Sequence, residues 1–225
     1  MKRYVVIFIL IVSFTFTALA KDTSSKSYNY LEKTGKVLVK INLQVQEQKS
    51  LIVSTSTRST GKSSIYNSDH NLSNSQWQVK NSKENTDFTA KREGNHIVIK
   101  GKLNGETIDR KVKIDSDPWY QSLSLSLTTL AKSDKPSCLF WVLRPDSLKP
   151  IKMKARKLAG ESLKIEGEDV EAEKIKVVLT GFKSMFWHGL YWYRKDNGLF
   201  IKYQGAKGPP GTPITTITLI KERNS

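Results

Sequence analysis

The chain holds one cysteine, three histidines and three methionines in 225 residues, and these shortages remove whole classes of chemistry. A lone Cys138 cannot form an internal disulfide, so the fold rests on its packed core alone. His70, His96 and His188 lie far apart and match no ligand spacing of the His-Glu-x-x-His kind. The sequence also lacks a Gly-x-Ser-x-Gly nucleophile elbow and a glycine loop that would cradle phosphate at a helix start. The acidic stretch Glu166–Glu173 is without the Asp-x-Asp-x-Asp-Gly order of a calcium loop and reads as solvated turn. His70, beside Asp69 and near Ser73, offers the residue types of a base and a nucleophile, but in ordinary turn composition. We therefore expect no catalytic residue, no metal and no cofactor, and read the protein as not an enzyme.

Long apolar runs are equally scarce. The one present opens the chain, "MKRYVVIFILIVSFTFTALAKD": cationic Lys2 and Arg3, an apolar stretch from Val5 to Phe16, then the small residues of Ala18-Leu19-Ala20. It is short for a span of roughly 20 residues and ends in polar Lys21-Asp22. Residues 1–20 read as a signal peptide cleaved after Ala20, the rival reading being an uncleaved anchor. No cysteine near that point could carry a lipoprotein's acyl group. The mature chain is then periplasmic, with no transmembrane segment.

Acidic charge is in short supply too: 21 Asp and Glu stand against 37 Lys and Arg. Without Lys2 and Arg3 the formal charge falls from +16 to +14. Such an excess suits anionic partners of the cell envelope, namely lipid headgroups, lipopolysaccharide phosphates or acidic glycans. Nucleic acid is not expected, because an exported protein rarely meets it. The lysines are spread along the chain, so much of this charge serves solubility.

What the sequence has in abundance is alternation. After a Ser/Lys-rich segment, residues 21–34, expected to be flexible, "GKVLVKINLQVQ" places Val37, Val39, Ile41, Leu43 and Val45 on one face. Runs of the same kind follow, separated by turn formers such as "NSDHNLSNS". "NHIVIKGKLNGETIDRKVKID" predicts a hairpin turning at Asn104-Gly105, which both tolerate positive φ. The period changes once. Asp117-Pro118 is a standard helix start, and Leu123, Leu127 and Leu130 recur at helical spacing, so a helix is predicted over Pro118–Ala131. Strands then return to the end. Residues 35–225 form a single mainly-β domain: a strongly curved antiparallel sheet, half-barrel or open barrel, with one main helix.

Three stretches qualify as candidate sites or core. "CLFWVLR" begins with Cys138, expected as a buried small hydrophobe. "KPIKMKARK" puts Lys152, Lys154 and Arg156 on one strand face and Ile151, Met153 and Ala155 on the other. "MFWHGLYWYR" is apolar on both faces, with Trp187, Tyr191 and Tyr193 on one and Leu190 and Trp192 on the other, so the strand is expected to be covered on both sides. Gly189 is a candidate bulge between them.

From "DPWYQ" onward the chain resembles a family of exported bacterial proteins of unknown function. The resemblance runs through "DPWYQSLSLSLTTL", "FWVLRPDSLKPIKMKARKLAGESLKIEGEDVEAEKIKVVLTG", "FWHGLYWYRKDNGLFIKYQG" and a closing "TTITLI". It implies a curved antiparallel half-barrel over one or two helices, similar to the bacterial lipoprotein carriers of the LolA and LolB type, which shelter acyl chains on the concave side. The family supplies no catalytic residues to carry over. The resulting expectation is a periplasmic binding protein holding a lipid or other amphipathic ligand. Trp119, Tyr120, Phe140, Trp141, Trp187, Tyr191 and Trp192 would line its concavity, and Lys152, Lys154 and Arg156 would meet an anionic headgroup. The alternative is an envelope structural or interaction protein with a filled core and no small ligand.

Overall fold

A computed structural model describes residues 25–165, 167–181, 187–207 and 211–224; the expected signal peptide and its cleavage point lie outside them. The chain runs as β1 (Ser25–Thr34), β2 (Val37–Glu47), β3 (Ile52–Arg58), β4 (Ser63–Ser68), β5 (Asn74–Asn81), β6 (Thr86–Glu93), β7 (His96–Leu103) and β8 (Glu106–Lys113). A short helical segment follows, α1 (Leu123–Ser126) and α2 (Thr128–Lys132), jointed at Leu127. The rest is β9 (Ser137–Leu143), β10 (Pro150–Lys157), β11 (Glu161–Ile165), β12 (Glu168–Leu179), β13 (His188–Arg194), β14 (Phe200–Ala206) and β15 (Ile214–Asn224).

All fifteen described strands join one antiparallel sheet in the order β8-β7-β6-β5-β4-β3-β2-β1-β15-β14-β13-β12-β10-β9, with β11 beside β12. Sequential hairpins make most of it, and the single long-range closure is β1 against β15. Bulges at Asn29/Tyr30, Asn67/Ser68 and Trp192/Tyr193 add the local twist that bends so wide a sheet. The hairpin at Asn104-Gly105 forms as predicted, with φ of 52° and 87°. The bulge in β13 falls at Trp192/Tyr193 and not at Gly189.

Three further expectations need correction. Residues 25–34 of the segment expected to be flexible are β1, paired on both sides, because Tyr28, Tyr30 and Glu32 alternate into the interior. The helix begins at Leu123, five residues after Pro118. Pro118–Tyr120 is extended instead: the Trp141 N–H donates to the Pro118 carbonyl (2.8 Å), the Tyr120 N–H to Trp141 (2.8 Å) and the Asn74 N–H to Trp119 (2.7 Å). These tertiary bonds outweigh the local Asp-Pro signal and tie the β9 edge to the start of β5. The acidic stretch, read as turn, is largely the first half of β12, with Asp169 and Glu171 exposed.

The inner face carries two adjoining apolar clusters. One gathers β1, β2, the helical segment and β9–β15; the other gathers β5–β8 with Trp119, Leu143 and Leu148. In such a meander the turns alternate between the two ends. The helical segment sits at the end that holds residues 195–199, where the Thr128 hydroxyl donates to the Gly198 carbonyl at 3.0 Å. The opposite, helix-distal end carries the turns around Gly35, Gly61 and Gly105 and the strand ends at Leu179 and Ala206.

Candidate functional site

Strand register decides which side chains share the concavity. Directly paired residues fall on one face, so Phe140, Met153 and Leu179 align, as do Tyr191, Tyr203, Ile217 and Glu32. At the helix end this face is filled. Phe140, Leu127 and Tyr193 are 0% exposed, Tyr120 packs on Phe140 with ring centres 5.3 Å apart, and Tyr191 packs on Tyr203 at 4.9 Å. Burial pushes the Tyr191 and Tyr193 hydroxyls well above their ordinary pKa. Cys138 lies on the same face beside Ala155, and burial pushes its thiol up to about 11.

The predicted lining set therefore divides. Trp119, Tyr120, Phe140 and Tyr191 are buried core, Trp119 within the β5–β8 cluster and the other three within the larger one. Trp141 stands on the outer face opposite Lys152, its indole N–H donating to Asp115 at 2.7 Å. Trp192 also points outward, between Lys174 and Lys202, whose ammonium groups lie 5.2 and 5.0 Å from its ring centre. Its N–H donates to Glu161 at the start of β11. The strand is covered on both sides, as expected, but the outer cover is lysine stems and β11, with the helix on the inner side. Of the seven predicted residues, Trp187 alone is both inner-facing and half-exposed; its N–H donates to the Ala206 carbonyl at 2.6 Å. Gly189 and Gly205, paired across β13 and β14, leave room for Tyr203, which would stand 2.9 and 2.7 Å from an added Cβ, and Gly189 also for the Trp187 ring, at 3.3 Å.

The predicted cationic stripe does not face the concavity. Met153 and Ala155 point in, so Lys152, Lys154 and Arg156 point out. Lys152 is held by Asp115 and Asp117 and lies 5.5 Å over the Trp141 ring. That contact, with the Trp141 bond, holds the Asp115 carboxyl down to about 2. Lys154 and Arg156 are exposed.

The helix-distal end is different in character. Inner-facing Leu179, Ile151, Val142, Trp187 and Ile217 are half-exposed there. Beside them Val37 is 63% exposed on the same face, while Leu38 and Ile214, 59% and 55% exposed, fall by register on the outer face. Between them sits a charged group that the sequence reading missed. Glu32 of β1, buried on the inner face, accepts from Arg58 at the end of β3 and from Lys207 just past β14. Burial alone would raise its pKa, yet Lys207 and Arg58 hold it below the ordinary value. The signal was present in "YNYLE", where Glu32 occupies the position that continues the Tyr28, Tyr30 alternation.

Among the described residues no three metal-ligating side chains converge, and no helix is long and apolar enough to cross a membrane. No family model matches the chain, and neither does any curated protein. Solved structures do. A β-barrel-like protein of domain of unknown function DUF1849 from Brucella abortus aligns over 90% of this chain and 98% of its own, at 8% identity and a TM-score of 0.60. A hypothetical lipoprotein from Escherichia coli aligns over 87% and 86% at 12% identity, TM-score 0.43. A LolA superfamily protein from Nitrosomonas europaea aligns over 91% and 86% at 9% identity, TM-score 0.27. The last two are too distant to carry an argument. The first shows the fold: an antiparallel half-barrel similar to that domain of unknown function.

Proposed function

We propose that this is a non-enzymatic binding protein of the periplasm that holds a lipid or similar amphipathic ligand at the helix-distal end of its half-barrel. The observation that carries this reading is the group of inner-facing apolar side chains left partly exposed at that end, Val37 at 63% with half-exposed Trp187, Leu179 and Ile151. Exposed apolar surface grouped around a concave opening is costly in water and is relieved when an apolar guest covers it. The helix end is already packed, so the ligand would occupy only the outer part of the concavity. Native purification followed by solvent extraction and mass spectrometry tests this. Lipid recovered in a fixed ratio to protein supports it; an extract free of amphiphile, with no binding of added fatty acid, removes it.

A second reading is favoured by the full burial of Trp119, Phe140 and Tyr193: an envelope interaction protein with a solid interior, working through its surface. On the outer face Arg156 and Lys176 are directly cross-strand, a like-charge pairing that an anionic partner would relieve. Cross-linking in cells that returns a reproducible protein partner, together with a lipid-free extract, would favour this alternative.

A further inference from the structure

The group around Glu32 has more positive charge than its own structure uses. Arg58 and Lys207 approach Glu32 from its two sides, over β2 and β15. Lys62 closes the β3–β4 hairpin opposite Arg58, whose N–H donates to the Lys62 carbonyl at 2.9 Å. The register Thr57↔Ser63 puts Lys62 on the same inner face as Arg58. Two cations thus meet one buried carboxylate, and Lys62 adds a third positive charge beside them. Lys62 makes no ion pair among the described residues; Glu84 is near enough to favour its charge without closing a bridge. The crowding is felt: burial, then Arg58, lowers the pKa of Lys62, and Lys207 is lowered by burial with Arg58 and Lys62 opposing its charge. Across from Lys62, by the register Ser63↔Lys80, stands Asn81, buried with its Oδ1 unpartnered. That oxygen is an acceptor, so it would take a donor such as the Lys62 ammonium or a ligand hydroxyl, and the anion itself would be left to the cations.

Glu32 does more than neutralise. By accepting from both neighbours it orients Arg58 and Lys207, and each keeps N–H donors beyond the one it gives to Glu32. Immediately beside the group lie Ile217, directly cross-strand from Glu32, and Tyr203, whose hydroxyl is pushed up to about 12 by burial and then by Glu32. A cationic clasp next to an apolar wall is a receptor for one end of an amphiphile.

We propose that Arg58, Lys62 and Lys207, aligned by Glu32, form an oxyanion site that receives the carboxylate or phosphate head of the ligand. This rests on the lipid-binding reading and replaces Lys152, Lys154 and Arg156, which face outward, as the headgroup contact. Charge-assisted bonds to a carboxylate or phosphate are strong where water is partly excluded.

The test titrates Trp fluorescence of the purified protein with dodecanoate, dodecyl phosphate, neutral dodecyl maltoside and inorganic phosphate, the amphiphiles kept below their micelle concentrations. Both anionic amphiphiles should bind several-fold tighter than the neutral one and weaken with added salt. Lys62→Gln, which breaks no ion pair, should leave the melting temperature unchanged. It should weaken the anionic amphiphiles about fivefold while sparing dodecyl maltoside. Inorganic phosphate binding as tightly as dodecyl phosphate, and losing affinity in Lys62→Gln, would support the oxyanion site with free phosphate as its source. Equal binding of charged and neutral amphiphiles, unaffected by Lys62→Gln, overturns the oxyanion site and leaves the lipid reading standing. No binding of any probe overturns both.

Discussion

The Tyr193 hydroxyl donates to the Leu123 carbonyl at 2.7 Å, and this bond pins the first turn of α1 to the inner face of β13. Tyr193 is 0% exposed, so neither its ring nor its oxygen has an alternative partner in water. Tyr193→Phe keeps the ring and removes one buried bond, which should cost about 0.5–1.5 kcal/mol. Tyr193→Ala also opens a cavity and should cost about 3–5 kcal/mol. Urea unfolding measures both; equal midpoints for the wild type and the Phe variant would show that the bond does not hold the helix.

Gly101 of β7 has φ +133°, and a Cβ there would stand 2.3 Å from the Asp87 carbonyl oxygen and 2.6 Å from the Phe88 Cα. Gly101→Ala forces two backbones apart and should destabilise by about 1–3 kcal/mol from overpacking alone, with backbone strain added. Gly35→Ala is the control: φ is +56° but nothing lies within 4 Å, so only the left-handed penalty of about 1–2 kcal/mol remains. Melting curves should rank wild type, Gly35→Ala and Gly101→Ala in falling order.

Asp115 predicts part of the acid limb of stability. Its folded pKa, about 2, is depressed below the reference 3.8 by Lys152 first and Trp141 next. A depressed carboxyl contributes its stability in full above the unfolded pKa and loses it as pH falls through the folded one. Melting temperature should therefore drop between about pH 4 and pH 2, and Asp115→Asn should flatten that drop. Glu32, Asp146 and Glu161 are also depressed and share the same limb, so a residual slope should persist. Parallel profiles for wild type and Asp115→Asn would contradict the assignment.

Cys138 should react slowly. With the thiol at about 11, roughly a thousandth is thiolate at pH 8, about a hundredfold below an unperturbed cysteine. A chromogenic disulfide reagent should label native protein far more slowly than protein in denaturant. Fast native labelling would mean that β9 and the helical segment open readily.

Much of this architecture was readable in advance because alternation is local. "GKVLVKINLQVQ" declares a strand with Val39, Ile41 and Leu43 inward, and Asn104-Gly105 declares its turn, from the conformational limits of a few residues. The helical spacing of Leu127 and Leu130 was equally legible. The helix start was not, because Pro118 and Trp119 are claimed by bonds to Trp141 and Asn74, far off in the chain. Trp192 misled for a related reason: an indole reads as lining, whereas Lys174, Lys202 and Glu161 cover it from the outside. The stripe of Lys152, Lys154 and Arg156 was read correctly as one face; which way that face looks is a property of the sheet.

By itself the sequence determined the strands, most of their turns and the basic, cysteine-poor chemistry, since each depends on short-range geometry and composition. Only the tertiary structure decided which side of the sheet encloses the concavity and which charges meet there. Glu32 finds Arg58 26 residues away and Lys207 175 residues away. No local preference reaches across such separations; the β1–β15 pairing brings them together, and the low polarity of the packed interior makes the meeting count.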